Sequence, residues 1–314
     1  MKSPCFVLLD KIAGETSFKA LFPLKRVFCT KRVGHAGTLD LRASGLIIAA
    51  VGRATRLLPY VEAKDKCYTF RLHLGYETDT LEWDGDVVEQ DACCHPGAEG
   101  DRVQSVNRAA VEAILPQFTG DIEQVPPRYC AVKIDGRRAS DLAERGRDFE
   151  LKSRKIHIAS LKVVGEGGVT EGESGKSFAT FDFECTCSKG TYVRALGRDI
   201  ARALGTCGCV SLIRRHRIGK VNVESAVKGT DLTVEHSVPV NEVLDFPVVR
   251  LNDAQMESIR LGNWIPWHEN IEGLVEQPEG ERLLFAARND GVVLALCKYD
   301  PGRICPKFFL AGDE

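Results

Sequence analysis

One stretch constrains the fold more than any other. Phe181, Phe183, Cys185 and Cys187 alternate with Asp182, Glu184 and Thr186. A period of two places apolar groups on one face of an extended strand and polar groups on the other, so this segment belongs in a sheet with one covered face. The period then changes. Val193, Leu196, Ile200 and Leu204 recur at helical spacing, with Arg194, Arg198 and Arg202 on another face and Gly205 as a stop.

The rest of the chain alternates between such signals. Phe6–Leu9 reads as a strand that ends at Asp10-Lys11 and a turn containing Gly14. Thr16 or Ser17 offers an N-cap for a helix towards Thr30, bent near Pro23. The polar, glycine-punctuated stretch Arg32–Asp40 reads as a loop, Gly45–Val51 as a buried strand and Arg53–Val61 as a short helix. Lys66–Leu74 reads as a strand with Tyr68, Phe70, Leu72 and Leu74 on one face. Asp91–Asp101 has no period and reads as a surface insertion. Val106–Phe118 and Ala139–Arg147 have helical spacing, and Pro126-Pro127 forces extended backbone between them. Gly165–Gly175 reads as a flexible hairpin loop. From about Val248 the pattern becomes short strands, Leu283–Ala287, Val292–Tyr299 and Pro306–Leu310, expected to form a small β-rich domain.

Composition narrows the class. A chain of 314 residues suggests about two domains. No apolar run approaches the ~20 residues that span a bilayer, and the first ten residues lack a signal-peptide pattern, so a soluble, cytoplasmic protein is expected. The 12 cysteines include no CxxC, and the Cys185-x-Cys187 and Cys207-x-Cys209 pairs read as small apolar groups filling strand faces. The seven histidines are scattered and no metal site is expected. The net charge of −2 hides an asymmetry. Residues 1–75 carry thirteen Lys and Arg against five Asp and Glu, residues 76–125 two against twelve, and residues 186–220 eight against one. The two basic stretches could meet as one groove for a polyanion, or remain solvated faces.

Gly34-His35-Ala36-Gly37-Thr38-Leu39-Asp40 is the candidate for chemistry. Its glycines allow a tight path and close approach of a ligand. No Gly-Lys-Ser/Thr follows, which excludes a phosphate-binding loop. Read alone, Asp40 is a turn residue or N-cap. Read with Ala43-Ser44-Gly45-Leu46, the segment closely resembles the catalytic motif of the TruB-type tRNA pseudouridine-55 synthases. Further matches occur in the family's order: Leu8-Leu9-Asp10-Lys11-x-x-Gly14-x-Thr16-Ser17, Lys66-x-Tyr68, Gly75-x-x-Thr78-Asp79-Thr80, and Gly120-Asp121-Ile122-x-Gln124-x-Pro126-Pro127-x-Tyr129-x-Ala131-x-Lys133. Ser188-Lys189-Gly190-Thr191-Tyr192-Val193-Arg194 and Ile213-Arg214-Arg215 complete the series. The resemblance runs through about residues 5–220. Departures are Ile12 and Leu41 where the family has proline, Glu82 for Asp, Ser140 for Tyr and Ile213 for Leu; none touches Asp40, Tyr68 or Arg194.

The resemblance implies an α+β fold: a mixed, mostly antiparallel pseudouridine-synthase sheet with flanking helices over residues 1–245, an RNA-facing insertion at about 117–150, and a PUA-like RNA-binding domain at 246–314. It implies isomerisation of uridine 55 in the tRNA T-loop, without cofactor or metal. Asp40 would be the carboxylate acting at C1′, kept ionised by Arg194. Tyr68 would stack on the base and assist loss of the C5 proton, although by its alternation alone it reads as a core tyrosine. Ile213 would pack beside the base. His35 would fill the stack that the flipped uridine leaves. Lys11, Tyr129, Lys189 and Arg214 would contact substrate, with Lys11 equally able to support the pocket. Lys25, Arg26, Lys31, Arg32, Arg215, Arg217 and Lys220 would line the groove through phosphates. A monomer needing no protein partner is expected. The competing readings are a catalytically silent tRNA-binding or tRNA-folding protein and an RNA-guided synthase subunit.

Overall fold

The computed structural model describes residues 4–91, 106–171, 177–267, 271 and 282–311. The chain forms two compact units, Met1–Asp40 with Leu46–Glu62 and Gly219–Glu314, and Leu41–Gly45 with Ala63–Ile218. Pairing within both is mostly antiparallel, and helices are interspersed, giving the expected α+β class.

The first unit opens with strand Cys5–Lys11, whose Phe6, Val7 and Leu9 side chains are buried and which pairs antiparallel with Ser237–Pro239. The expected long helix bent at Pro23 is instead a short 3-10 turn, Lys19–Leu21, followed by helix Phe22–Val27. Pro23 lies in the first turn of that helix, where its missing N–H removes no bond and its fixed φ suits the start. The stretch Arg32–Asp40, expected as loop, is a strand over Val33–Ala36. Buried strand Ser44–Val51 supplies the partner: Val33 opposes Val51 and His35 opposes Ala49. The polar, glycine-rich composition concealed this, because the ladder uses backbone groups and needs no apolar side chains. The expected helix Arg53–Val61 is a 3-10 segment, Gly52–Leu57, leading into helix Leu58–Glu62.

The C-terminal β-rich piece is a five-stranded sheet in the order Val248–Arg250, Arg282–Ala287, Val293–Asp300, Arg303–Phe309, Ile265–Pro266. This PUA-like sheet carries a helix the pattern reading did not register, Asp253–Arg260. Asn252 and Gln255 cap its start reciprocally, and Met256 and Ile259 pack on Val249, Leu284 and Tyr299. The piece clusters with the N-terminal segments through specific contacts. Arg53 donates to the Ala311 carbonyl at 3.3 Å, Arg56 stacks on Phe308 at 4.3 Å, and Tyr60 meets Phe246 edge to face.

In the second unit the strand order is Gly208–Ile218, Lys66–Leu74, Ser177–Cys187, Arg154–Glu171, Gly120–Gln124. Phe183 lies opposite Phe70 in the ladder, and their rings stack at 5.2 Å. Phe181, Phe183, Cys185 and Cys187 are buried, as their alternation requires. Helix Val193–Ala203 approaches the sheet so closely that a Cβ on Gly197 would lie 2.3 Å from Val210. The expected loop Gly165–Gly175 is strand as far as Glu171, since pairing continues from Gly168 opposite Thr180 to Glu171 opposite Ser177, and residues 172–175 lie outside the described residues. One irregularity in that ladder, between Val164 and Gly168, accommodates the glycines. The predicted helices around it occur as Arg108–Ile114 and Ala139–Ala143, both shorter than their periodic stretches. The insertion at Asp91–Asp101 lies, beyond Asp91, outside the described residues.

Among the described residues no helix is long and apolar enough to cross a membrane, and no three His, Cys, Asp or Glu cluster as metal ligands. The described cysteines are free thiols; burial pushes Cys5 up to about 11 and Cys209 up to about 12, so both are inert apolar filling.

Candidate active site

Asp40 ends the first unit's N-terminal segment and is half-buried. The residue before it is pinned. The buried Ser17 hydroxyl accepts from the Leu39 N–H at 2.9 Å and donates to the Leu39 carbonyl at 3.0 Å. Residues after it are held within the second unit. Arg42 pairs with Asp84 at 2.6 Å, and Ser44 and Gly45 pair in parallel with Arg214 and Arg215. Gly45 has φ +104°, and a Cβ there would stand 2.2 Å from the Arg215 carbonyl oxygen. Glycine is therefore required by both conformation and space. The residue before the carboxylate is thus held within the first unit, and residues 42–45 within the second.

Two other candidates share the first unit. His35 sits half-buried on its strand opposite Ala49. Lys11 is fully buried, and its ammonium donates to the carbonyls of Ile12 at 3.0 Å and Glu15 at 2.6 Å, fixing the turn after the opening strand.

In the second unit, the candidates Ile213 and Arg214 lie on strand Gly208–Ile218. Ser211 opposes Arg71 but Arg214 opposes Thr69, and Arg215 opposes Tyr68 but Arg217 opposes Cys67. Each shift is one extra residue, a β-bulge, so two bulges bracket Arg214-Arg215. Leu212 takes up the first at φ 52°, a conformation unusual for a bulky side chain. The result buries Ile213 and Arg215, leaving Arg214 half-exposed between them. Arg215 is only 1% exposed. Its guanidinium lies 3.5 Å from the Tyr68 hydroxyl and 6.0 Å from the ring centre. Tyr68 is half-buried on the strand predicted for it.

Arg194 opens helix Val193–Ala203 and is buried, not solvated. It donates to the Thr80 carbonyl at 2.8 Å and to the Tyr129 carbonyl at 2.9 Å, joining the acidic turn to the 120–130 segment. Arg198, one turn on, is also buried and donates to Val125 at 2.9 Å. Gln124 adds a reciprocal pair with the Tyr192 backbone, at 2.8 and 3.1 Å. The Tyr129 phenol is raised above its ordinary value by burial and then by a hydrogen bond to Asp79, so it remains protonated. Lys189 is exposed in the turn that precedes the helix, where Gly190 has φ 83°.

The structure therefore joins Tyr68 to Arg215, Arg194 to the Tyr129 backbone, and Arg214 to the strand that follows Asp40. Sequence reasoning placed Arg215 in a phosphate groove and gave Arg198 no role. The signal available was an Arg-Arg pair set directly after the apolar Leu212-Ile213. A carboxylate in this motif suits chemistry on an electrophilic carbon and needs no redox partner.

Residues 25–193 match the sequence model of the TruB family pseudouridylate synthase N-terminal domain, which defines the class as pseudouridylate synthases. A tRNA pseudouridine synthase B from Caulobacter vibrioides is 36% identical over 312 residues, covering 96% of this chain and 94% of the relative. One from Thermobifida fusca is 36% identical over 290 residues, covering 91% and 94%. The fold is shared with the solved Cbf5-Nop10-Gar1 complex, with a TM-score of 0.65 at 21% identity over 98% of this chain and 85% of that one. The chain belongs to the TruB family.

Proposed function

We propose that this chain isomerises uridine to pseudouridine in tRNA, at uridine 55 of the T-loop. The observation that carries the reading is the fixing of Leu39, the residue before Asp40, by both hydrogen bonds of the buried Ser17 hydroxyl. A carboxylate that must meet one sugar carbon of a flipped nucleotide needs such fixing, since a misplacement of about 1 Å loses orders of magnitude in rate. Asp40 acts at C1′ as the C1′–N1 bond breaks. The base then turns within the pocket and a C1′–C5 bond forms. C5 loses its proton and N1 gains one, so atoms balance without oxidant, metal or nucleotide.

Tyr68 stacks on the base and takes part in removing the C5 proton, its hydroxyl lying beside the Arg215 guanidinium. Ile213 supplies an apolar wall. Arg194 keeps positive charge near the carboxylate while bracing the acidic turn. His35 replaces the flipped base in its stack, which offsets part of a flipping cost of a few kcal/mol. Lys11, Tyr129, Lys189 and Arg214 hold the surrounding RNA, with Lys11 acting through the turn it shapes. Residues 1–245 form the catalytic domain, with an RNA-facing insertion at 117–150, and 246–314 an RNA-binding domain. The protein works in the cytoplasm as a monomer without a partner protein.

The test is an unmodified tRNA transcript labelled with tritium at uridine C5, incubated with the protein alone. The reading expects tritium release that is lost with Asp40→Asn, and with uridine 55 replaced by cytidine, while tRNA binding is kept. Binding without release identifies a silent tRNA-binding protein. Release only with an added guide RNA identifies an RNA-guided subunit.

A further inference from the structure

The segment between Glu15 and Asp40 contains Lys19, Lys25, Arg26, Lys31 and Arg32 and no acidic residue. Within it, Ala20, Leu21 and Leu24 turn into the core. Phe18 and Phe22 do the opposite and are 61% and 47% exposed. Their rings form an edge-to-face pair at 5.4 Å with an interplanar angle of 81°. The Lys25 ammonium sits 4.9 Å from one ring centre and 5.1 Å from the other.

The position of this pair is fixed relative to the catalytic span. Phe18 follows Ser17, whose hydroxyl is bonded to Leu39, and Leu39 precedes Asp40. With consecutive Cα atoms 3.8 Å apart, Phe18 and Asp40 lie within roughly 15 Å of one another along this bridge. A nucleotide roughly two or three positions from the one whose C1′ meets Asp40 can reach that distance.

We propose that Phe18, Phe22 and Lys25 form a stacking platform for an unpaired base of the substrate RNA a few nucleotides from the target uridine. The inference rests on the tRNA-isomerase reading and deepens it by naming a second contact. Aromatic faces beside cations are how proteins hold unpaired bases, and Lys25 moves from the rings to a phosphate as the base arrives. Charge complementarity selects this occupant. A second copy docking the same face on itself would set this wholly cationic segment against its own like charges.

The experiment compares wild type with the double variant Phe18→Ser, Phe22→Ser and with Phe18→Leu, Phe22→Leu, on the tritiated tRNA transcript. The exposed positions leave melting temperature unchanged. KM is expected to rise about 10-fold in both variants, the size of losing one stacked base, with kcat within about 2-fold. Phe18→Trp, Phe22→Trp restores KM, and Lys25→Gln raises it less and flattens its salt dependence. An unchanged KM in the serine variant, or full restoration by leucine, overturns the platform. So does sedimentation showing wild type as a dimer that the serine variant dissolves. If wild type turns over no tRNA, the isomerase reading falls on its own. Filter retention of tRNA by the same variants then decides the platform: an affinity loss of about 10-fold supports it, and equal retention removes it.

Discussion

The two basic stretches of this chain have similar charge and opposite uses. In residues 18–32 the cations face solvent: Lys19, Arg26, Lys31 and Arg32 are all exposed. In residues 186–220 part of the charge goes inward while Lys189, Arg202 and Lys220 stay exposed. Arg194, Arg198 and Arg215 are buried, and the first two are committed to backbone carbonyls of Thr80, Tyr129 and Val125. A count of charges treats both as surface potential, but in the second stretch three of the eight cations, Arg194, Arg198 and Arg215, supply none of it. The second uses the planar, multi-donor guanidinium as a structural brace, which lysine cannot replace.

The contrast is sharpest at Arg215. Arg215→Ala would leave a cavity and unpaired acceptors beneath Tyr68, with an expected stability loss of about 3–5 kcal/mol. Denaturant unfolding of the variant checks this, and a change below about 1 kcal/mol would erase the distinction between the two stretches. Gly45→Ala tests the same strand from its partner side. It should cost about 2–4 kcal/mol, or fold with the Asp40 span displaced and turnover reduced at least about 100-fold; melting and tritium release together separate these results.

Acid sharpens the comparison further, because arginine does not titrate and the buried histidine in the same sheet does. His73 donates to or accepts from Ser211 at 2.7 Å and is pushed down to about 4 by burial and then by Arg71. Above its ordinary value near 6.5 both folded and unfolded chains hold it neutral. As the pH falls from about 6.5 to about 4, the unfolded chain gains a proton that the fold refuses, and up to about 3 kcal/mol is lost. His73→Gln should flatten that limb of a melting-temperature profile; an unchanged slope would assign it to other groups. The smallest effect belongs to the exposed stretch. Lys31→Gln with Arg32→Gln should leave stability within about 0.5 kcal/mol and weaken tRNA retention mainly at low salt.

What was legible in the sequence was local. The strand at Lys66–Leu74, the alternation ending at Cys187 and the helix after Tyr192 each announce themselves by period, and all three occur where expected. The glycines of 165–171 concealed a strand because ladder bonds do not depend on side chains. Helix Asp253–Arg260 is short, and its signal was the Asn252–Gln255 cap, not its apolar spacing. Among the candidate site residues, Asp40, Tyr68 and Arg194 were named from their motifs, while the burial of Arg215 was hidden. An alternating pattern assumes an unbroken count, and the two bulges around Arg214-Arg215 break it twice.

Those bulges also set a rule for how this sequence can drift. Loss of Leu212 would remove the extra residue and straighten the strand, while Arg214 stays opposite Thr69 and Arg215 opposite Tyr68. Loss of Arg214 or Arg215 would instead shift the pairing and exchange faces around Tyr68. Descendants of this chain should therefore tolerate a single-residue deletion at Leu212 more readily than one at Arg214 or Arg215.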